Sequence, residues 1–249
     1  MADQRTSNGR TTKAERKEQA RRERVELQRR MARSRRNRRI ALALAVVAVV
    51  GVAAFAFTRP STEAADPANL LARAGAAQSA AGCAPVENVG PYDPSSDDQA
   101  HVSTADMPPL SSYASVPPAS GPHNEVPMPA GVYSSPPAID RVLHSLEHGA
   151  SVVWYAPDAD GQALDELRTF YREPDVGSRV IVARYDYPDE GAAGSLPPGT
   201  EMALVAWHQE QTCAQVDLAA AFDVTARYAA PPYGDEQYAG EAPEAGAGI

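Results

Sequence analysis

The chain has 249 residues and a formal net charge of −9, with 43% hydrophobic and 22% charged residues, enough apolar material for a globular core. The charge is uneven: residues 1–39 hold 15 Lys and Arg against 5 Asp and Glu, and residues 40–249 hold 8 against 27, which marks two roles along one chain. No G-x-G-x-x-G, Walker loop or G-x-S-x-G occurs in a suitable strand–turn–helix context, so nucleotide-binding and serine-hydrolase readings have no anchor.

Residues 1–39 form a basic tail with almost no aromatic or β-branched residues, too few to bury a core. Its Glu and Arg still fall three and four apart, as on a helix surface. The following segment, "IALALAVVAVVGVAAFAF" at residues 40–57, is uncharged. At ~1.5 Å per residue it extends about 27 Å as a helix, near one hydrocarbon thickness, which predicts a transmembrane helix. Arg35, Arg36, Arg38 and Arg39 precede it, so the positive-inside rule predicts a single-pass protein of the cell membrane with a cytoplasmic N-terminus and an extracytoplasmic domain. Membrane lipid is the expected partner of the basic tail, and no nucleic acid is needed to explain it. A signal peptide cleaved after the "AFA" at Ala54 to Ala56 is the competing reading.

Residues 58–82 read as an Ala-rich tether, 83–231 as an exported α+β domain, and 232–249 as a disordered acidic tail. Between Pro85 and Pro137 recurrent prolines forbid long helices and central strands, which predicts an irregular wrap. "SSPPAIDRVLHSLEHG" then reads as a helix, with Ser135 as its cap, Pro136 or Pro137 in the first turn and Gly149 ending it in the left-handed conformation. A buried strand at residues 151–155 follows, then a helix bearing Leu164, Leu167, Phe170 and Tyr171. "SRVIVARY" and "EMALVAWH" read as strands joined by a Pro/Gly-rich loop, and "VDLAAAFDVTARYA" as the last helix. This order suggests a small α+β layer with its helices on one face. Trp154 and Trp207 are expected in the core, and His208 at a strand end in a surface or hydrogen-bonded position.

The two cysteines, Cys83 and Cys213, are expected to form a disulfide, with free thiols or a Cys metal ligand as alternatives. The bond would close a loop that contributes on the order of 5 kcal/mol in the chain-entropy model.

Chemistry concentrates in one helix and the wrap before it. His144, Glu147 and His148 lie three and four apart, so a helix projects all three from one side, opposite Ile139, Leu143 and Leu146. His123 and Met128 stand in the Pro-locked "SGPHNEVPMP", and His101 stands upstream. Imidazoles with a thioether suit copper, whereas imidazoles with Glu147 or Glu125 suit zinc. "HSLEH" is also formally the H-x-x-E-H pattern of zinc hydrolases, although Gly149 ends the helix too early for a further ligand. The bland alternative makes the histidines hydrogen-bonding fasteners for a wrap that has no ladder of its own.

"PPASGPH", "GVY", "VLHSLEHGASVVWY" and "ALVAW" resemble the motifs of a bacterial family called domain of unknown function 3105, over about His101 to Tyr228. The pattern matches at His101, Ser120, Gly121, His123, Gly131, Tyr133, His144, Glu147, His148 and Gly149. The resemblance implies an N-terminal helical anchor and no established activity, and the "MPAG" of this chain departs from the pattern beside Met128. Taken together, the residues lead to the expectation of a membrane-anchored domain binding copper, ahead of zinc, through His144, His148, His123, His101, Glu147 and Met128. A non-catalytic structural or protein-interaction module of the envelope is the alternative, and a zinc-dependent hydrolase the second.

Overall fold

Strand β3 (Ser151–Tyr155) is buried at every position, and so is β5 (Met202–Ala206). Strands with both faces apolar have to be covered on both sides, and that requirement organises the fold. The computed structural model describes residues 65–93, 98–159 and 161–249. Their sheet has six strands in the order β1-β6-β5-β3-β4-β2, where β1 is Glu87–Asn88, β2 Gly131–Val132, β4 Val180–Arg184 and β6 Gln209–Cys213. β3 and β2 run parallel to β4, while β5 is antiparallel to β3 and to β6.

Alternate residues divide the core in two. Val153, Tyr155, Val182, Met202 and Leu204 face helices α1 (Pro67–Ala80), α3 (Gln162–Phe170) and α5 (Leu218–Tyr228). Val152, Trp154, Ile181, Val205 and Trp207 face helix α2 (Ile139–Glu147) and the wrap, through Val142, Leu143, Leu146, Leu110 and Tyr113. The helices therefore occupy both faces and not the single face expected from sequence. A short helix α4, Pro174–Gly177, leads into β4.

Three segments differ from their expected character. The presumed tether contains α1, which Asp66 caps through the amides of Ala68 and Asn69. Leu70 is fully buried there, and Gln78 donates to Asp223 of α5 at 2.8 Å. Its run of alanines carries little amphipathic signal, yet small side chains allow close packing on the equally Ala-rich α5. The presumed disordered tail crosses the end of α2, its Glu244 and Gly246 amides donating to the carbonyls of Glu147 and His148. At α2 itself the cap position is Ala138 with no capping side chain, and not Ser135. Tyr187 donates to the Pro137 carbonyl at 2.8 Å and holds the two prolines outside the helix.

The expected membrane anchoring is corrected. Among the described residues no helix is long and apolar enough to cross a membrane. The longest, α1, has 14 residues, where about 20 are needed. Residues 40–57, on which the single-pass topology, the cytoplasmic and extracytoplasmic sides and the lipid contact rested, lie outside the described residues, as do residues 1–39. The disulfide is present: Cys83 is bonded to Cys213 across a sequence separation of 130.

Candidate metal centre

The wrap reaches α2 through a short ladder of its own. The amides of Gly121 and His123 donate to the carbonyls of Asp98 and Ala100, and Val102 donates to the His123 carbonyl, so His101 and His123 lie side by side. Gly121 has φ +119, and a Cβ there would come within 2.8 Å of the Tyr113 ring. Only glycine lets the strap turn at that point. Beyond it, Asn124 and Met128 donate to the carbonyls of Asp140 and Arg141 in the first turn of α2, and the Arg141 guanidinium holds the carbonyls of Val126 and Pro127. The His123 segment is thus tied to residues 98–102 of the wrap on one side and to the first turn of α2 on the other.

These contacts bring His101, His123, His144 and Glu147 together, with one ligand atom from each lying within 4.8 Å of all the others. His123 is fully buried, and His144 and Glu147 are nearly so. The His101 side chain is 48% exposed and forms the mouth of the site. Its ring stacks on His144 with centroids 4.8 Å apart, and His123 stands edge-on to both. Trp207 closes the floor, perpendicular to the His123 ring at 6.1 Å.

The arrangement of ring nitrogens is the informative part. His123 Nδ1 lies 2.7 Å from the Gly121 carbonyl, His144 Nδ1 2.6 Å from that of Asn124, and His148 Nδ1 2.7 Å from that of Gly248. A carbonyl only accepts, so each Nδ1 carries the hydrogen and each neutral ring presents a lone pair at Nε2. The Nε2 atoms point at one another and at a carboxylate. His123 Nε2 faces Glu147 Oε2 at 3.0 Å, and His101 Nε2 lies 3.5 Å from the same oxygen. His144 Nε2 faces His148 Nε2 at 2.8 Å. Where the rings are neutral, acceptor faces acceptor at His123–Glu147 and at His144–His148, and a proton or a bound cation between the atoms reconciles each contact.

The protonation tendencies agree. Burial would raise the Glu147 carboxyl, but the hydrogen bond to His123 and the neighbouring imidazoles outweigh it and hold the group below its ordinary value. Burial lowers His144, and His148 and His123 push the same way against the opposing pull of the Asn124 carbonyl and Glu147. An ionised carboxylate beside a neutral imidazole is the ligand-competent pair.

Compared with known protein families, residues 106–243 match the model of a family described as "Protein of unknown function (DUF3105)". The chain belongs to this family. The matched DUF3105 segment contains His123, His144, Glu147 and His148, while His101 and Glu244 lie just beyond its two ends. No curated protein and no solved structure matches the chain significantly.

The other residues singled out from sequence lie elsewhere or at the margin. The Met128 side chain packs against the α2-side apolar cluster, and its main chain is held by the Ser145 hydroxyl. Glu125 is exposed on the wrap. His148 belongs to an adjoining group with Glu147 and Glu244. His208, in the left-handed conformation between β5 and β6, lies between Asp98 at 2.7 Å and Glu241 at 3.2 Å. Sequence reasoning passed over Glu244 altogether, since an acidic residue in a Gly/Ala-rich tail carries no local signal. The three carbonyl partners of the imidazoles were equally illegible, because main-chain acceptors are common to every sequence.

Proposed function

We propose that this domain is a non-catalytic structural module in which a transition-metal ion, zinc ahead of copper, pins the Pro-rich strap to α2. His123, His144 and Glu147 are the inner ligands and His101 the outer one. The supporting observation is the set of imidazoles whose Nδ1 atoms are committed to carbonyls while their Nε2 lone pairs converge on each other and on a carboxylate. Metal-bound histidines are oriented by such outer hydrogen bonds. Ligand atoms about 3.4 Å apart surround a tetrahedral zinc at ~2.1 Å, so the four groups need only modest closure. Three imidazoles and a carboxylate suit zinc, and with the Met128 thioether packed in the core the soft-ligand case for copper weakens. Glu147 takes a ligand position here, which leaves no general base of the H-x-x-E-H kind.

The test uses the full chain, stripped by chelator and titrated with zinc and copper. Zinc should bind with at least one equivalent and raise the melting temperature, since saturation at 100 times Kd adds about 2.7 kcal/mol. His123→Ala should abolish the shift, and His101→Ala, a change at a half-exposed side chain, should weaken binding at least tenfold without loss of fold. A chain that takes up neither ion and melts unchanged would leave only the hydrogen-bonded fasteners.

A further inference from the structure

Next to the inner ligands, His148 presents a second unmet demand. Its Nδ1 donates to the Gly248 carbonyl, so a neutral ring has its lone pair at Nε2. There it meets His144 Nε2 at 2.8 Å and Glu244 Oε2 at 3.1 Å, with no donor among them. A cation held by His101, His123, His144 and Glu147 does not relieve this contact, because His148 lies outside that group. Glu147, His148 and Glu244 form a group of their own, with ligand atoms within 4.8 Å of one another. Glu147 is common to both groups, and a carboxylate has two oxygens with which to serve two ions.

The tail that supplies Glu244 is firmly placed. The Glu244 amide donates to the Glu147 carbonyl and the Gly246 amide to that of His148, both at 3.1 Å. Arg179 reaches across to the carbonyls of His148, Gly246 and Ala247 at 3.1, 2.8 and 2.7 Å. Four of these hydrogen bonds hold the tail main chain across the end of α2 and so place Glu244 beside His148.

We propose that the centre is dinuclear: a second divalent cation sits between His148 and Glu244, and Glu147 bridges it to the inner ion. This rests on the metal-binding reading above. The outer ion is the more accessible, since the Glu244 side chain is 54% exposed. It is therefore the weaker and more readily exchanged of the two. The site is complete only with the tail docked, so Glu147 and His148 share one ligand set with Glu244, a residue far along the sequence.

Equilibrium dialysis of the metal-stripped full chain against zinc, followed by metal analysis, should give two ions per chain. Glu244→Gln and His148→Gln should each reduce this to one, weakening the second ion at least tenfold and leaving the first within threefold. One ion in the unaltered chain would overturn the dinuclear centre and keep the single site, a shared proton then explaining the His144–His148 contact. No ion at all would overturn both. Two ions retained in both variants would place the second ion elsewhere and also overturn it, as would loss of both ions from each variant.

Discussion

At His144 the fold imposes a cost that only appears in acid. Burial, aided by His148 and His123, holds the folded imidazole below the ordinary histidine value. In unfolded chain the same ring takes a proton near pH 6.5. Below that point the unfolded state binds more protons than the folded one, so stability is complete above about pH 6.5 and falls as pH drops from there toward the lower folded value. Chelator-treated protein should lose several degrees of melting temperature between pH 7 and pH 5.5, and His144→Gln should flatten that slope; parallel slopes would show that another group governs it. The residue types and their helical spacing were legible in sequence, because i, i+3 and i+4 positions share a face whatever surrounds them. Their direction was not. Spacing gives the shared side of the helix but not what lies against it: the strap covers the imidazoles, and His144 keeps only 4% of its surface.

Among the elements, α2 carries most of the site and depends on how it ends. Gly149 has φ +83, and a Cβ added to it would stand 2.7 Å from that of Ala230. The Gly149 carbonyl accepts from the Ala230 amide, so the chain after α5 returns to this turn. Gly149→Ala combines left-handed strain of about 1–2 kcal/mol with an overlap of similar size. A loss of roughly 3 kcal/mol, or about 6–12 °C in a domain of this size, is expected in thermal melts, and a change under 1 °C would refute the packing described. Here sequence and structure coincide, since a glycine after a periodic apolar run has a specific meaning for a helix end. They part at α1, where alanines left nothing periodic to read, and at the helices of the two faces. A continuous apolar strand such as "SVVWY" shows that both sides are buried without showing what covers each.

For the whole molecule the contacts that matter most are the longest in sequence, and these leave no local trace. The disulfide, the strap on α2 and the tail over His148 join segments far apart along the chain, so spacing rules could identify the groups but not bring Glu244 to them. The disulfide nevertheless lies away from the His/Glu cluster. Cys213 pairs with Met202 at one end of the β5–β6 hairpin, while Ala206 and Gln209 pair at the other. Trp207, beside His123, belongs to that second end. Five strand residues at ~3.3 Å each separate the two by about 17 Å. Closing a loop across a sequence separation of 130 restricts chiefly the unfolded chain, so replacing both cysteines with alanine should remove on the order of 2–5 kcal/mol in denaturant unfolding. Folded-state zinc stoichiometry and affinity should hold within about threefold, because the ligands are positioned by the strap, α2 and the tail. A parallel fall in affinity would mean that the cross-link also shapes the native centre, and that the two ends of the hairpin move as one.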